Sequence, residues 1–328
     1  MPLSNSQFSR RELFGAALAS SLASPLASPA AASGAASANS QPLPICAFSK
    51  HFQWTTVPDL AKMAAELGYD GIDLTVRAGG HVEPDRVAED LPRAFEAVRA
   101  AGLTMPMVTA GIIDARSPYA GDILKTCASL GIRLYRWGGF RYNYDQPIAP
   151  QLDGFRARSR ELAALNRRYG VCAMYHTHSG PREVGGPIWD LWEIIRDLDH
   201  SALSINYDIG HATVEGGYGG WRESSRLALP LMKGTAFKDF NWGKNSKGEW
   251  QPQWCALGKG MVNFREYMTI LKTGGFSGPL QLHFEYPDLG GANNGARHMT
   301  ISRDQFLSVM RRDMAVFKTL LRESGLRS

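Results

Sequence analysis

The sequence predicts an α/β fold, a single-domain (β/α)8 TIM barrel, on three observations. Eight short apolar runs of strand length alternate with longer amphipathic runs of helical period. The runs end, one after another, in charged or polar residues. After a leader of 38 residues, about 290 of the 328 remain, a length that suits one barrel with its own core. A doubly wound open sheet is the competing arrangement. Eight evenly spaced units and the lack of a G-x-G-x-x-G turn count against it.

The leader comes first. Ser9-Arg10-Arg11-Glu12-Leu13-Phe14 precedes a weakly apolar run, Gly15 to Ala23, and an Ala/Ser/Pro tract that ends in Ala36-Ser37-Ala38. Charge, apolar run and A-x-A cleavage pattern in that order read as a twin-arginine signal peptide with a low-complexity tract over 1–38. The expected destination is the periplasm or the exterior, reached through the twin-arginine export machinery. The apolar run is far shorter than the ~20 residues a bilayer requires, and no later segment qualifies, so stable membrane insertion is not expected. Removing Arg10, Arg11 and Glu12 takes the formal charge from +5 to +4, two positive charges and one negative being lost. Without a Lys/Arg cluster, that balance gives no case for nucleic acid.

The barrel is predicted over 44–328. Its strand candidates are Ile45 to Ser49, Gly71 to Val76, Thr104 to Thr109, Ile132 to Trp137, Val171 to Tyr175, Ala202 to Tyr207, Gly234 to Phe237 and Pro279 to Phe284. Helix candidates among the intervening runs are Val57 to Leu67, Arg86 to Ala101, Leu152 to Tyr169, Ile188 to Leu198, Phe264 to Lys272 and Arg303 to Glu323. Gly68, Gly102, Gly131, Gly170 and Gly274 supply helix-ending punctuation. Asn241 to Gly260 holds three Trp, has no helical period and is too long for an ordinary βα loop, so it reads as a lid. Cys46, Cys127 and Cys172 lie in apolar segments and Cys255 in a loop, with no C-x-x-C spacing; most read as small buried apolar residues.

In a barrel of this kind the residues closing each strand build the site. Here they are Lys50 and His51, Arg77, Thr109, Arg136 with Trp137, His176 with His178, Asp208 with His211, Lys238 with Asp239, and Glu285. The stretch Tyr207-Asp208-Ile209-Gly210-His211 is the centre of the set: a hard oxygen ligand or acid/base, then an imidazole three residues on, past a glycine that permits a sharp turn. A capping Asp beside a satisfied His is the alternative reading of that spacing.

The ordered set Leu67-Gly68-Tyr69-Asp70-Gly71-Ile72-Asp73-Leu74, Tyr175-His176-Thr177-His178-Ser179-Gly180, Tyr207-Asp208-Ile209-Gly210-His211, Lys238-Asp239-Phe240, Leu257-Gly258-Lys259-Gly260 and Leu282-His283-Phe284-Glu285 resembles the sugar phosphate isomerase/epimerase superfamily with xylose isomerase-like barrels. The resemblance runs from about Pro44 to the end. It implies a divalent metal held by Glu, Asp, His and Glu after strands five to eight. Asp208 and Glu285 match two of those positions; His176 stands at the first and Ala236 at the third. The implied metal set is therefore Asp208 and Glu285 with His176, or else His211, suited to Mn²⁺, Co²⁺ or Zn²⁺. Lys238 pointing inward in place of the metal's charge is the alternative.

The same resemblance implies a keto-sugar substrate and proton transfer next to its carbonyl, with Glu285, His176 and Lys238 as catalytic residues. His51, Arg77, Arg136, Trp137, His178, His211 and Trp242 would bind the substrate. Three functions fit: an exported sugar isomerase or epimerase, a lyase that cleaves keto-glycosides by elimination, and a carbohydrate-binding barrel without catalysis.

Overall fold

A computed structural model describes residues 43–327. The leader expected over 1–38 lies outside the described residues. Eight parallel strands close a barrel: β1 (Ile45–Phe48), β2 (Gly71–Val76), β3 (Thr104–Ala110), β4 (Leu134–Trp137), β5 (Cys172–His176), β6 (Leu203–Asp208), β7 (Met232–Phe237) and β10 (Leu280–Leu282). Each pairs with its sequence neighbour in the barrel, and β10 closes the ring onto β1. The other two strands, β8 (Asp239–Lys244) and β9 (Trp250–Cys255), form an antiparallel hairpin above β7.

All eight predicted strands are barrel strands, with ends shifted by a few residues. The helices surround them. Val57–Leu67 starts on a Thr56 cap and Arg303–Ser324 on a capping box of Ser302 and Gln305. Leu152 to Tyr169 extends back to Ile148, and Ile188 to Leu198 contracts to Trp189–Ile195. Ala120–Ser129, Ile209–Gly216 and Gly220–Ala228 are further helices. Four of the five predicted helix-ending glycines have positive φ; Gly274 has φ −86°, and Gly275 takes the left-handed turn instead. Among the described residues no helix is long and apolar enough to cross a membrane, and all four cysteines are free.

The hairpin corrects the expected lid loop. Its period is two rather than absent: Trp250, Pro252 and Trp254 alternate with Gln251 and Gln253, and the turn at 245–248 supplies the reversal.

Because side chains alternate across a strand, one residue in two faces the barrel axis. Inside the barrel Asn206 donates from Nδ2 to Gln281 Oε1 at 2.9 Å, Cys172 meets Ser204 at 3.3 Å, and Met174 packs under Gly234. This polar interior leads upward, two residues at a time, to His176, Asp208, Lys238 and His283 at the carboxyl ends.

Candidate active site

Lys238, one residue past β7, is 2 % exposed; it makes two hydrogen bonds and one further ion pair. Nζ lies 2.8 Å from Glu285 Oε2, 2.5 Å from His211 Nε2 and 3.4 Å from Asp208 Oδ2. The Trp254 ring covers it, with the centroid at 4.2 Å. An ammonium only donates, so His211 Nε2 is the acceptor and its Nδ1–H faces the Ser179 hydroxyl at 2.7 Å. His211 is thereby neutral, and burial followed by Lys238 lowers it to about 3. Gly210 makes this approach possible: a Cβ there would lie 2.6 Å from Lys238 Cγ and 2.8 Å from its carbonyl.

Glu285 is the more open end of the group. Its side chain is 23 % exposed, and Lys50 approaches Oε1 at 3.4 Å. Burial alone would raise its carboxyl, but Lys238 and Lys50 outweigh burial and hold it well below the usual range. It is a carboxylate with two lysines for partners.

Asp208 serves two ends at once. Oδ1 caps the helix Ile209–Gly216 by accepting from the His211 backbone N–H at 3.0 Å. Oδ2 is buried without a hydrogen bond, 3.6 Å from His176 Nε2 and 3.6 Å from His283 Nδ1. Burial would raise this carboxyl too, yet Lys238 and the surrounding imidazoles leave it lowered. Capping and site chemistry, posed as alternatives by the sequence, belong to different oxygens of one carboxylate.

The donor atoms of His176, Asp208 and His283 lie within 4.8 Å of one another and can hold a metal ion. Asp208 Oδ2 and both nitrogens of His283 are buried without hydrogen-bond partners, and His176 turns Nε2 towards the same Oδ2, so unpaired donors converge as a cation site requires. Burial keeps both imidazoles neutral, His283 at about 4 and His176 well below its usual value. The set of two imidazoles and one carboxylate fits a borderline divalent ion. His176, His178 and His211 also cluster, but Arg136 takes His178 Nε2 at 3.1 Å and Lys238 and Ser179 take both nitrogens of His211. Glu285, expected as a ligand, is held by Lys238, and His283 stands in the donor group instead.

His283 was missing from the expected site, although its signal was in the sequence: it is two residues before Glu285 and so shares its face. Lys50 reaches the site where His51 was expected. His51 is wholly buried, accepts from the Phe284 N–H at 3.1 Å and meets the Ala292 carbonyl at 3.3 Å, so both ring nitrogens brace backbone. Trp137 is likewise a core residue, donating to the Ile113 carbonyl at 2.7 Å and packing on Phe140 and Tyr175. The indole at the site is Trp254; Trp242 stands farther out on the hairpin.

Arg136, Arg77 and Asp73 form the opposite wall. Arg136 stacks over Phe48 at 5.3 Å and, buried, falls to about 10. Asp73 is held by the Thr109 hydroxyl, 2.9 Å from each oxygen, and burial raises it to about 7 despite Arg136. Half-buried Arg77 adds its charge to the same pocket.

The hairpin is pinned at its base. Asp239 accepts from the backbone N–H groups of Phe240, Gly258, Gly260 and Val262 at 2.8–3.1 Å. This gives Lys238-Asp239-Phe240 and Leu257-Gly258-Lys259-Gly260 one joint purpose, which is to hold Trp254 over Lys238.

A family model described as xylose isomerase-like TIM barrel matches residues 61–302. No curated protein matches the chain by sequence. Among solved structures, it is similar to a xylose isomerase-like TIM barrel protein from Mycobacterium smegmatis in complex with magnesium, at 18 % identity over 83 % of this chain and 98 % of that one, TM-score 0.59. It is similar to D-psicose 3-epimerase from Clostridium cellulolyticum H10 with D-tagatose, at 13 % identity over 85 % and 99 %, TM-score 0.62. It is also similar to 3-keto-D-glucoside 4-epimerase from E. coli, at 15 % identity over 84 % and 99 %, TM-score 0.59. At these identities the likeness shows the fold.

Proposed function

The chain belongs to the xylose isomerase-like TIM barrel family, and on that premise we propose that it is a sugar isomerase or epimerase acting on a keto sugar or keto-sugar derivative. The observation that carries this reading is the Lys238 ammonium seated between Glu285, Asp208 and His211. Ionised Glu285 takes the proton from the carbon next to the carbonyl, and the electron pair moves onto the carbonyl oxygen. Lys238 and Lys50 meet that oxyanion with fixed positive charge in a site shielded by Trp254, the arrangement that stabilises an enediolate most. Glu285 returning its proton to the neighbouring carbon gives an isomer; a solvent-derived proton delivered to the opposite face of the same carbon, with Glu285 releasing its own to solvent, gives an epimer. The neutral imidazoles of His176, His178 and His211 line the return path, while Arg77 and Arg136 hold hydroxyl or anionic groups.

A divalent cation such as Mn²⁺, Co²⁺ or Zn²⁺, held by His176, Asp208 and His283, would supply a further positive charge to the same oxygens. Lys238→Met is expected to lower turnover by about a hundredfold or more; unchanged turnover would reject the mechanism.

Elimination is the second reading, because the aromatic hairpin extends the site beyond the space one sugar ring requires. The enediolate is then resolved by loss of a neighbouring substituent, and product analysis separates the two: isomerisation conserves mass, elimination releases a fragment.

In this reading the enzyme works in the periplasm or outside the cell. Replacing Arg10 and Arg11 by Lys is expected to leave the protein in the cytoplasmic fraction; unchanged export would rule out the twin-arginine route.

A further inference from the structure

The hairpin of β8 and β9 has two unlike faces. Cross-strand partners point the same way, and the pairs Phe240 with Trp254, Trp242 with Pro252 and Lys244 with Trp250 share one face. The other face carries Asn241 with Gln253 and Gly243 with Gln251. Along the aromatic face the Phe240 ring lies 5.8 Å from both Trp254 and Trp242, and farther out Lys244 sits over Trp250 at 5.5 Å. Exposure rises along it, from buried Phe240 to Trp242 at 42 % and Trp250 at 66 %.

This face begins inside the site. Trp254 covers the Lys238 ammonium and meets the His211 ring edge-on at 5.0 Å. From Trp254 to Trp250 the strand advances by about 14 Å, longer than a single pyranose ring. Flat apolar rings match the CH faces of a glycan, and the row is longer than a free monosaccharide can cover.

We propose that the Trp254–Trp242–Trp250 row is a subsite for the aglycone side of a glycoside, so that the substrate is a keto-glycoside of two or more rings whose oxidised ring sits at Lys238. The proposal rests on the keto-sugar reading of the same site. It commits the exposed row to glycan; a second copy of the chain is the competing occupant.

The test is direct binding, so that it does not depend on turnover. The mature protein and Trp242→Ala/Trp250→Ala are titrated calorimetrically with methyl β-glucoside, cellobiose, cellotriose, maltose and maltotriose. Both positions are exposed, so the fold is retained. The wild type is expected to bind one of the di- and trisaccharide series more tightly than the monosaccharide. The variant is expected to lose about tenfold on that series while its monosaccharide binding stays level. Binding that ignores chain length, or an unaltered variant, would overturn the proposal. So would a wild-type dimer in sedimentation that the substitutions dissociate. Length-dependent binding of these glycans, together with no deuterium incorporation into a keto-glycoside that the protein binds, would sustain the subsite and reject the catalytic reading, which keeps the two failures apart.

Discussion

Lys238 and Asp208 show how single side chains acquire their roles from neighbours rather than from residue type. The two carboxylates that match the family's metal positions have an ammonium between them, so charge compensation there is built into the chain. Asp73 is the opposite case, a buried carboxyl raised to about 7 by desolvation. Its pKa in the folded chain exceeds the unfolded value near 3.8, so the folded state keeps the proton longer. The stability it contributes is fully present below about pH 4 and is lost as pH rises towards 7, by on the order of 1.4 kcal/mol per unit of difference. Denaturant midpoints measured from pH 4 to 8 should therefore fall less steeply for Asp73→Asn than for the wild type; parallel curves would contradict that assignment. At this scale the sequence revealed residue types at strand ends but not their partners. Lys50 and His51 are adjacent, yet one reaches Glu285 and the other braces backbone, because the turn Ser49–Phe52 that follows β1 aims them differently.

The elements explain why glycines and a second aspartate surround the site. Asp239 gathers four backbone N–H groups and fixes the hairpin, and Gly260 leaves room for it, since a Cβ there would run into the Asp239 carboxylate and the Phe240 carbonyl. Gly260→Ala is expected to loosen the hairpin, lowering the melting temperature and exposing Trp254 to a fluorescence quencher. Unaltered quenching would show that the clamp does not position the indole. The eight strands and most helices were legible because hydrophobic period is a local property. The hairpin was not, because its period-two pattern is spread over two short strands flanking a polar turn and resembles a loop until the strands are paired. His283 was missed for a different reason: its spacing from Glu285 is visible in the sequence, but β10 ends at Leu282, and strand alternation is not read past a strand's end.

For the whole molecule, eight strand ends converge on one pocket containing a fixed ammonium, an ionised glutamate and a His/Asp donor group, with an aromatic hairpin as its outer wall. Metal content of the mature protein purified without chelator separates the two sources of positive charge. About one divalent ion per chain, lost in His283→Ala but kept in Glu285→Gln, is expected of the His176, Asp208 and His283 group. Loss in Glu285→Gln with retention in His283→Ala would favour the family's usual ligands. The barrel and its polar mouth could be read from the sequence because topology sends strand ends to one place; the division of that mouth into a lysine-centred half and a histidine-centred half required three-dimensional contacts. The most direct test of the account is solvent deuterium exchange. Keto sugars and keto-glycosides are incubated with the wild type and Glu285→Gln in D2O, and deuterium at the carbon next to the carbonyl is followed by NMR. The account predicts substrate-dependent incorporation by the wild type and its loss in Glu285→Gln; a wild type that binds a keto sugar tightly and incorporates no deuterium would identify a binding barrel and contradict the account.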